Sequence, residues 1–555
     1  MRRALLAAVL GALLAFGPQA AAQEAACDAV VVVIEEATLP DLLEVPALRS
    51  LAAAGGAALM NGRSDALDEL SEMFPPDVPQ ASDSPCSISA VGPIQAGRTA
   101  IQWASESTAP LLVMVISASP SAASAADGDE LGAVIAAWGD PDELLEAEGE
   151  PKALTSDSTR RAGVVATVDP AATVAGWLDL PYDAGAPIEA TDEPAPLDLY
   201  ERYLQYRRLA VPTAGASWIL MGAAAVGSIA ILRARDRASD RALAVVGALA
   251  AAFPWLPLVL LLAGHLPSLT MWTVVPFVAV TVAAGAAFTT WVARRWGALR
   301  AMAATGALIL VILLLEAVTG WGAAVTPLVG GGQLDGGRFF GMPNAMIGLV
   351  LGAALYAAHR LAPGWGAALL AACALVAGSP WTGADYGASI TLSAAVGLWV
   401  GVRGGRPWWV TGLLTVATTA IGAGVVSVMH RFLTERPTHV TSFLEETTGP
   451  RGALERLFDR LGIGVQLIAD SPFAIVPVVG TIVLLILVLR PPATLAATFA
   501  ASDAWHDALL VLLIGSIVAY LSNDTGAAAL GFGFVLALAG LLHVSAAAAR
   551  GKMGR

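Results

Sequence analysis

The chain has 555 residues, 56% of them apolar and 14% charged, and its mean hydropathy is +0.68. This composition excludes an ordinary soluble protein of the same length and is typical of a polytopic membrane protein. The formal net charge of −14 predicts that the chain does not bind nucleic acid.

The N-terminal 22 residues have the pattern of a secretory signal peptide. Two arginines precede an apolar run over residues 4–16, and Ala20 and Ala22 have the A-x-A spacing that signal peptidase accepts. We therefore expect segment 1–22 to deliver the following domain outside the cytoplasm. If it stayed uncleaved, it would act as one additional membrane anchor.

Residues 27–209 alternate between strand-like and helix-like patterns. VVVVIEE from Val30, LLVMVISA from Leu111 and AGVVATVD from Ala162 are typical of buried strands, and Leu43 to Ala54 follows a helical pattern. This alternation predicts an extracytoplasmic α/β domain with a parallel sheet and helices on its faces. The sequence leaves open whether Cys27 and Cys86 of this domain form a disulfide.

Three segments of this domain carry a family resemblance. VVVVIEEATLPDL, PALRSLAAAGGAALMNGRS and VATVDPAATVAGWLDLPYDAGAP are similar to the opening and closing parts of the alkaline phosphatase-like superfamily. There the first strand ends in a metal-binding Asp-Gly, where this chain has Glu35 and Glu36. All six histidines lie at or after His265, so the domain lacks imidazoles for a two-metal cluster. The resemblance implies a degenerate, inactive domain that binds a substrate or a partner.

Residues 210–555 contain about eleven apolar windows of membrane-spanning length. The expected spans are 213–232, 242–264, 270–292, 301–320, 343–359, 364–380, 386–402, 408–429, 471–489, 505–521 and 526–547. With the N-terminal domain outside, the arginines of the short loops fall almost entirely on the cytoplasmic side, Arg338 being the exception. We therefore expect a multi-pass protein of the plasma membrane.

Four polar stretches interrupt these apolar windows. They are GGQLDGGRFFGMPN (331–344), GSPWTGADYG (378–387), a long loop over 431–470 and SNDTG (522–526). The expected topology places all four on the outer side. Such clustering on one face favours a shared site over scattered helix caps.

The first of these stretches also carries a second family resemblance. Its residues Gly336, Gly337, Arg338, Phe339, Phe340, Gly341 and Asn344 match a GGRFYGxGN-like signature. Weaker matches are Gly383 to Asp385, Thr438 to Val440 and Asn523 to Gly526. The chain resembles an uncharacterised family of bacterial membrane proteins that join an alkaline phosphatase-like exported domain to a polytopic region. The resemblance implies this architecture and no established reaction.

Three expected spans begin beside polar side chains on the outer side. Helix N-termini expose unpaired N–H groups, and glycine lets a ligand approach the backbone, so these ends are suited to an anion. The predicted substrate-binding residues are Gly336, Gly337, Arg338, Phe340, Asn344 and Asn523, and the predicted catalytic residues are His439, Asp385 and Asp524. The competing interpretation is that each Asn or Asp simply caps a helix. A divalent cation bridging Asp385 and Asp524 would relieve their repulsion of an anion, but the sequence does not identify the metal.

Three functions fit these features. The first is an envelope protein, for example a transferase, that contacts membrane lipid and binds or processes a lipid-linked phosphate or glycan at the outer leaflet. The second is a transporter or flippase, which would need polar groups deeper in the spans and on both sides. The third is a non-catalytic scaffold that docks an envelope protein partner. Glu316, near the outer end of the fourth span, is expected to face the bundle interior.

Overall fold

The computed structural model of the chain describes most of the α/β region and most of the helical region. The described residues are 29–34, 37–61, 86–90, 111–117, 131–140, 149–159, 161–166, 169–179, 186–234, 237–331, 333–335, 343–433, 475–500, 502–523 and 526–551, with positions 144, 147, 341 and 462.

The N-terminal part is an α/β region built on one sheet. Its strands are β1 (Ala29–Ile34), β2 (Gly56–Asn61), β3 (Cys86–Ala90), β4 (Leu111–Ser117), β5 (Gly132–Gly139), β6 (Lys152–Ser156), β7 (Val164–Ala166) and β8 (Ile188–Pro194). The strand order is β3-β1-β4-β5-β2-β6-β8, and β7 also pairs with β2. The helices of this region are α1 (Leu39–Glu44), α2 (Pro46–Ala54) and α3 (Asp169–Trp177).

The sheet is mixed, so the expectation of a parallel sheet is wrong for part of it. β1 is parallel to β3 and β4, but β5 is antiparallel to both of its neighbours and β8 is antiparallel to β6. The physical reason is that β5 is a largely buried Ala- and Gly-rich strand, and an apolar run of this kind does not encode strand direction. The expected helix from Leu43 to Ala54 is likewise two helices, because Val45 is extended and Pro46 begins the second.

Helices cover both faces of the sheet. Alternate residues of each strand point to opposite sides, so Val30 and Val32 enter one apolar core while Val31 enters the other. The second core is closed by α3 through Ala171 and Val174. The first core takes in α1 and α2 and continues into the helical region.

A single helix joins the two regions. α4 (Leu197–Arg233) has 37 residues, a length of about 55 Å at 1.5 Å per residue. Its first turns place Tyr200, Tyr203 and Tyr206 in the sheet core, and its remainder is apolar and largely exposed. The boundary expected near residue 210 therefore lies inside a continuous helix, which contains Pro212.

The C-terminal part is helical. Its helices are α5 (Asp240–Ala252), α6 (Trp255–Leu262), α7 (Met271–Trp296), α8 (Ala298–Thr319), α9 (Ile347–Ala358), α10 (Pro363–Gly378), α11 (Tyr386–Arg403), α12 (Trp408–Phe432), α13 (Ile475–Leu489), α14 (Ala493–Phe499), α15 (Asp503–Ser522) and α16 (Gly526–Ala549).

Seven segments within the described residues are long and apolar enough to cross a membrane. They are Leu197–Arg233, Asp240–His265, Met271–Trp296, Ala298–Thr319, Trp408–Phe432, Asp503–Ser522 and Gly526–Ala549. The other four expected spans coincide with three shorter apolar helices (Asn344–Ala358, Pro363–Gly378 and Ile475–Leu489) and with α11. The chain is therefore a multi-pass membrane protein, and the total of eleven spans stays a prediction.

α16 is the central helix of this bundle and is buried along almost its whole length. α9 crosses it closely, because a β-carbon at Gly348 would overlap the carbonyl oxygen of Ala529. α7 and α12 lie at the periphery with mostly exposed apolar side chains, which suits contact with lipid.

The α/β region packs on one end of the bundle, which we call the outer side. Its core contains Leu260 from α6 and Leu269 from the loop before α7, together with Val325, Leu328 and Leu334 from the loop after α8. The charge-based topology places both loops on the side of the N-terminal domain, so packing and charge agree. Exposed tryptophans lie near both ends, with Trp272, Trp321 and Trp381 at the outer end and Trp365 and Trp408 at the opposite, inner end. Two such belts are typical of membrane–water interfaces.

Candidate functional site

The polar stretches before α9 and α11 meet on the outer side. The side chain of Gln333 donates a hydrogen bond from Nε2 to the Gly341 carbonyl at 2.9 Å. Gly341 has a positive φ of 84°, and a β-carbon there would lie 2.5 Å from the Gly383 carbonyl oxygen and 2.9 Å from that of Thr382. Glycine at 341 is thus required both by conformation and by the approach of the neighbouring loop.

The stretch before α11 also contacts the end of α15. A β-carbon at Gly387 would overlap the Ser522 carbonyl oxygen and lie 2.6 Å from Asn523 Oδ1. The Ser522 hydroxyl lies 2.9 Å from Thr391 Oγ1 and donates to the Gly387 carbonyl at 3.2 Å. Polar contacts therefore join the outer ends of α11 and α15.

The turn Asn344–Met346, which precedes α9, completes the arrangement. It packs against α16, and Met346 and Phe532 of α16 flank Gly330. Asn344, Asp385 and Asn523 are all at least nine-tenths buried at this end of the bundle. We call the residues Gly341, Asn344, Thr382 to Asp385, Gly387 and Ser522 to Asn523 the outer polar cluster.

Asp385 has a clear local role in this cluster. It is the N-cap of α11, and its Oδ1 accepts a hydrogen bond from the Ala388 amide at 2.7 Å. The loop before it is tightly folded, since the amides of Ala384 and Asp385 donate to the Ser379 and Ala377 carbonyls at 2.8 Å. Ala384 has a positive φ of 47°, so the loop carries a non-glycine residue in the left-handed region. The capping interpretation of Asp385 is thus correct, and it is compatible with ligand binding by the same carboxylate.

The sequence pattern places Asn523 at the start of a helix, but the structure places it at the end of one. It is the C-cap of α15, and its Nδ2 donates to the Ala519 carbonyl at 3.2 Å and to Ser522 Oγ at 3.3 Å. Its side chain closes the preceding helix, while its Oδ1 faces the Gly387 backbone.

The remaining predicted residues lie outside the described part of the chain. These are Gly336, Gly337, Arg338, Phe340, His439 and Asp524, together with Glu35, Glu36, Cys27 and the side chain of Cys86. Among the residues that the structure describes, no three His, Cys, Asp or Glu side chains form a group able to hold a metal ion. The divalent cation stays a hypothesis, and so does the pairing of Cys27 with Cys86, which the sequence leaves open.

Sequence reasoning missed a second polar cluster, at the inner ends of the same helices. Arg403 at the end of α11 forms an ion pair with Asp507 of α15, with Nη1 3.0 Å from Oδ2, and its guanidinium lies over the Trp399 ring. His359, directly after α9, is buried, and its Nδ1 lies 2.6 Å from the Tyr356 carbonyl oxygen. Its ring packs against that of Trp505, with centroids 5.1 Å apart. Arg403 is one of the loop arginines that predict the topology, and nothing in its sequence context indicates the pair.

Glu316 is buried, as expected, but its carboxylate binds the backbone of a loop rather than facing the bundle centre. Its Oε1 accepts hydrogen bonds from the amides of Gly322 at 3.2 Å and Ala324 at 3.0 Å. Burial lowers the pKa of the nearby Arg161 guanidinium, and the negative charge of Glu316 opposes that change. Arg161 belongs to the α/β region, so this pair of charges lies where the two regions meet.

Comparison of the chain with protein-family models, with curated proteins and with solved structures found no match. Both family resemblances therefore stay predictions, as does the alkaline phosphatase-like assignment of the α/β region.

Proposed function

We propose that the protein binds a phosphate-containing, lipid-linked substrate of the cell envelope at the outer polar cluster and processes it there. The observation that supports this most is the meeting of three polar stretches, distant in sequence, on the side that carries the α/β region. Buried polar groups near hydrocarbon are costly, so their concentration at one place favours function over chance.

The chemistry of the cluster suits a phosphate or diphosphate group. Asn344 and Asn523 carry neutral amide side chains that can donate hydrogen bonds to an anion, whereas Gly341 and Gly383 pack against backbone carbonyls. Arg338 lies in the same polar stretch as Gly341 and would supply the positive charge. Asp385 would act through a bridging divalent cation, or as a base toward an acceptor hydroxyl.

The tail of a lipid whose phosphate occupied this cluster would have an apolar helix surface to lie against. α12 packs along α11, whose first residue follows Asp385, and its outward face is apolar and exposed at Leu413, Val416 and Ile421. An isoprenoid chain could therefore lie in the membrane beside α12 while its phosphate occupies the cluster. This geometry supports a lipid-linked substrate over a free one.

A transporter or flippase is the second candidate, and the inner polar cluster favours it. The same three helices, α9, α11 and α15, carry polar groups at both ends, with buried Thr391 and Ser516 between them. A route across the membrane needs groups of this kind on both sides. An assembly scaffold remains the third candidate.

The binding proposal is tested with the full chain in lipid nanodiscs and farnesyl diphosphate as probe, with magnesium present. Asp385→Asn retains the helix cap, because Asn is an equally good capping residue, but it removes the charge. We expect binding to weaken on the order of tenfold or more, the usual effect of losing a charge-assisted contact, with a melting temperature near that of the wild type.

The matched control is Asp507→Asn, which removes a carboxylate at the inner end of the bundle. It should leave farnesyl diphosphate affinity unchanged. Equal affinity of the wild type and Asp385→Asn, or the absence of binding by the wild type, would contradict the proposal. Weakening by Asp507→Asn alone would favour the transporter.

A further inference from the structure

The loop after α8 is folded around a single buried carboxylate. Glu316 is 3% exposed, and both of its bonded amides, Gly322 and Ala324, lie in the turn that follows α8. Gly320 and Gly322 have positive φ values of 58° and 104°, which brings this turn back over the helix end. The carboxylate therefore fixes the start of the segment that leads to the outer polar cluster.

The other oxygen of Glu316 lies near His265, and Arg161 lies beside the same loop. Oε2 makes no hydrogen bond with the described residues and lies 3.9 Å from His265 Nε2. Arg161 approaches from the α/β region, with its Nη1 3.7 Å from the position of a β-carbon on Gly322, and its buried Nε has no hydrogen-bond partner among the described residues. A buried carboxylate of this kind needs a nearby cation, and Arg161 is the one that the α/β region supplies.

From this carboxylate, a chain of contacts leads to the outer polar cluster. The Gln333 amide donates to the Ala324 carbonyl at 3.0 Å, and the Gln333 side chain donates to the Gly341 carbonyl at 2.9 Å. Gly341 in turn lies against the Gly383 backbone, two residues before Asp385. Each link is a direct contact, so a shift at Ala324 has a short physical path to Asp385.

The α/β region holds the same segment at further points. Strand β2 contacts the turn Gln333–Asp335, and Val325, Leu328 and Leu334 lie in the sheet core. Arg202 of α4 donates from Nε to Thr326 Oγ1 at 3.1 Å. The segment thus lies between the α/β region on one side and the cluster on the other.

We propose that Glu316 is a positioning residue through which the α/β region, by way of Arg161, sets the geometry of the outer polar cluster. The α/β region then acts as a fixed wall of the site, a role that needs no phosphatase chemistry. The identity of what is positioned rests on the proposed function, whereas the mechanical coupling can be measured without any ligand.

The test is hydrogen–deuterium exchange on the full chain in nanodiscs, following peptides that cover 320–346 and 379–388. Glu316→Ala removes the acceptor for two amides, so exchange at 322–324 should rise about tenfold and the rise should extend to 379–388. Glu316→Gln keeps an acceptor oxygen and should leave 322–324 within about twofold of the wild type. Asp507→Asn is the control for general destabilisation and should leave both peptides unchanged.

A double-mutant cycle tests the role of Arg161. Arg161→Met and Glu316→Gln each leave one buried partner uncompensated and should lower the melting temperature, whereas the double variant should lower it by less than the sum. Additive losses would overturn the proposal, as would exchange that rises only at 320–326 in Glu316→Ala.

If Glu316→Ala does not fold, the double-mutant cycle alone decides whether Glu316 and Arg161 are coupled. Coupling with no farnesyl diphosphate binding would sink the proposed function but leave the positioning role standing. Farnesyl diphosphate binding without coupling between Arg161 and Glu316 would support the proposed function and overturn the positioning role.

Discussion

The carboxylate of Asp169 accepts four hydrogen bonds inside the α/β region. The hydroxyls of Ser156 and Ser158 donate to it at 2.5 and 2.7 Å, and the amides of Ala166 and Ala186 donate at 2.6 and 3.0 Å. Burial raises the pKa of Asp169, while the four donors act in the opposite direction. The residue ties β6, β7 and the start of α3 together, so it has a structural role in the α/β region.

We expect Asp169→Asn to destabilise the protein by about 2–4 kcal/mol, because its NH2 group would replace an acceptor oxygen and face the backbone N–H of Ala166 or of Ala186, which cannot turn away. Denaturant melting of the full chain measures this loss. Asp192→Asn makes the same chemical change at an exposed position of β8 and should change stability by less than about 0.5 kcal/mol. Equal effects of the two substitutions would show that the hydrogen-bond network is not stabilising.

At the scale of secondary structure elements, sequence patterns predicted the membrane helices better than the sheet. The expected spans 408–429 and 526–547 coincide closely with Trp408–Phe432 and Gly526–Ala549, because hydropathy alone marks such segments. β2 and β5 are rich in alanine and glycine and carry no comparable signal. Their pairing directions depend on contacts between distant parts of the chain.

The candidate site was likewise only partly predictable from the sequence. Asp385 and Asn523 stand out in the sequence because they are polar residues at the edges of apolar windows. The contacts of Gly341 with Gly383 and of Gly387 with Ser522 arise only when the helices pack, so no local pattern predicts them.

The crossing of α9 and α16 gives a test at this scale. Gly348→Val would drive a side chain into the Ala529 backbone, so we expect a loss of at least about 3 kcal/mol or failure to assemble. Gly412→Val is the control, because Gly412 lies in α12 with open space around it. Thermal melting in detergent compares the two. Similar melting temperatures would mean that the helices separate at little cost.

At the scale of the whole molecule, the α/β region and the bundle form one continuous structure. α4 passes through both, and residues of the outer loops complete the core on one face of the sheet. This arrangement places the α/β region against the segment that leads into the outer polar cluster, rather than on a flexible tether.

The orientation of this assembly in the membrane is a prediction that can be checked directly. The loop arginines place the outer side outside the cytoplasm. Cysteine in place of the exposed Trp381 should react with a membrane-impermeant reagent in intact cells, whereas cysteine in place of the exposed Trp408 should react only after permeabilisation. The reverse pattern would invert the topology and move the site to the cytoplasmic face.

The measurement that tests the central claim most directly is a cryo-electron microscopy structure of the full chain with farnesyl diphosphate in nanodiscs. The account predicts density for the diphosphate beside Asn344, Asp385 and Asn523, with the isoprenoid chain running along α12. Diphosphate density beside Arg403 and His359 at the inner end, with the outer polar cluster closed on itself, would contradict it.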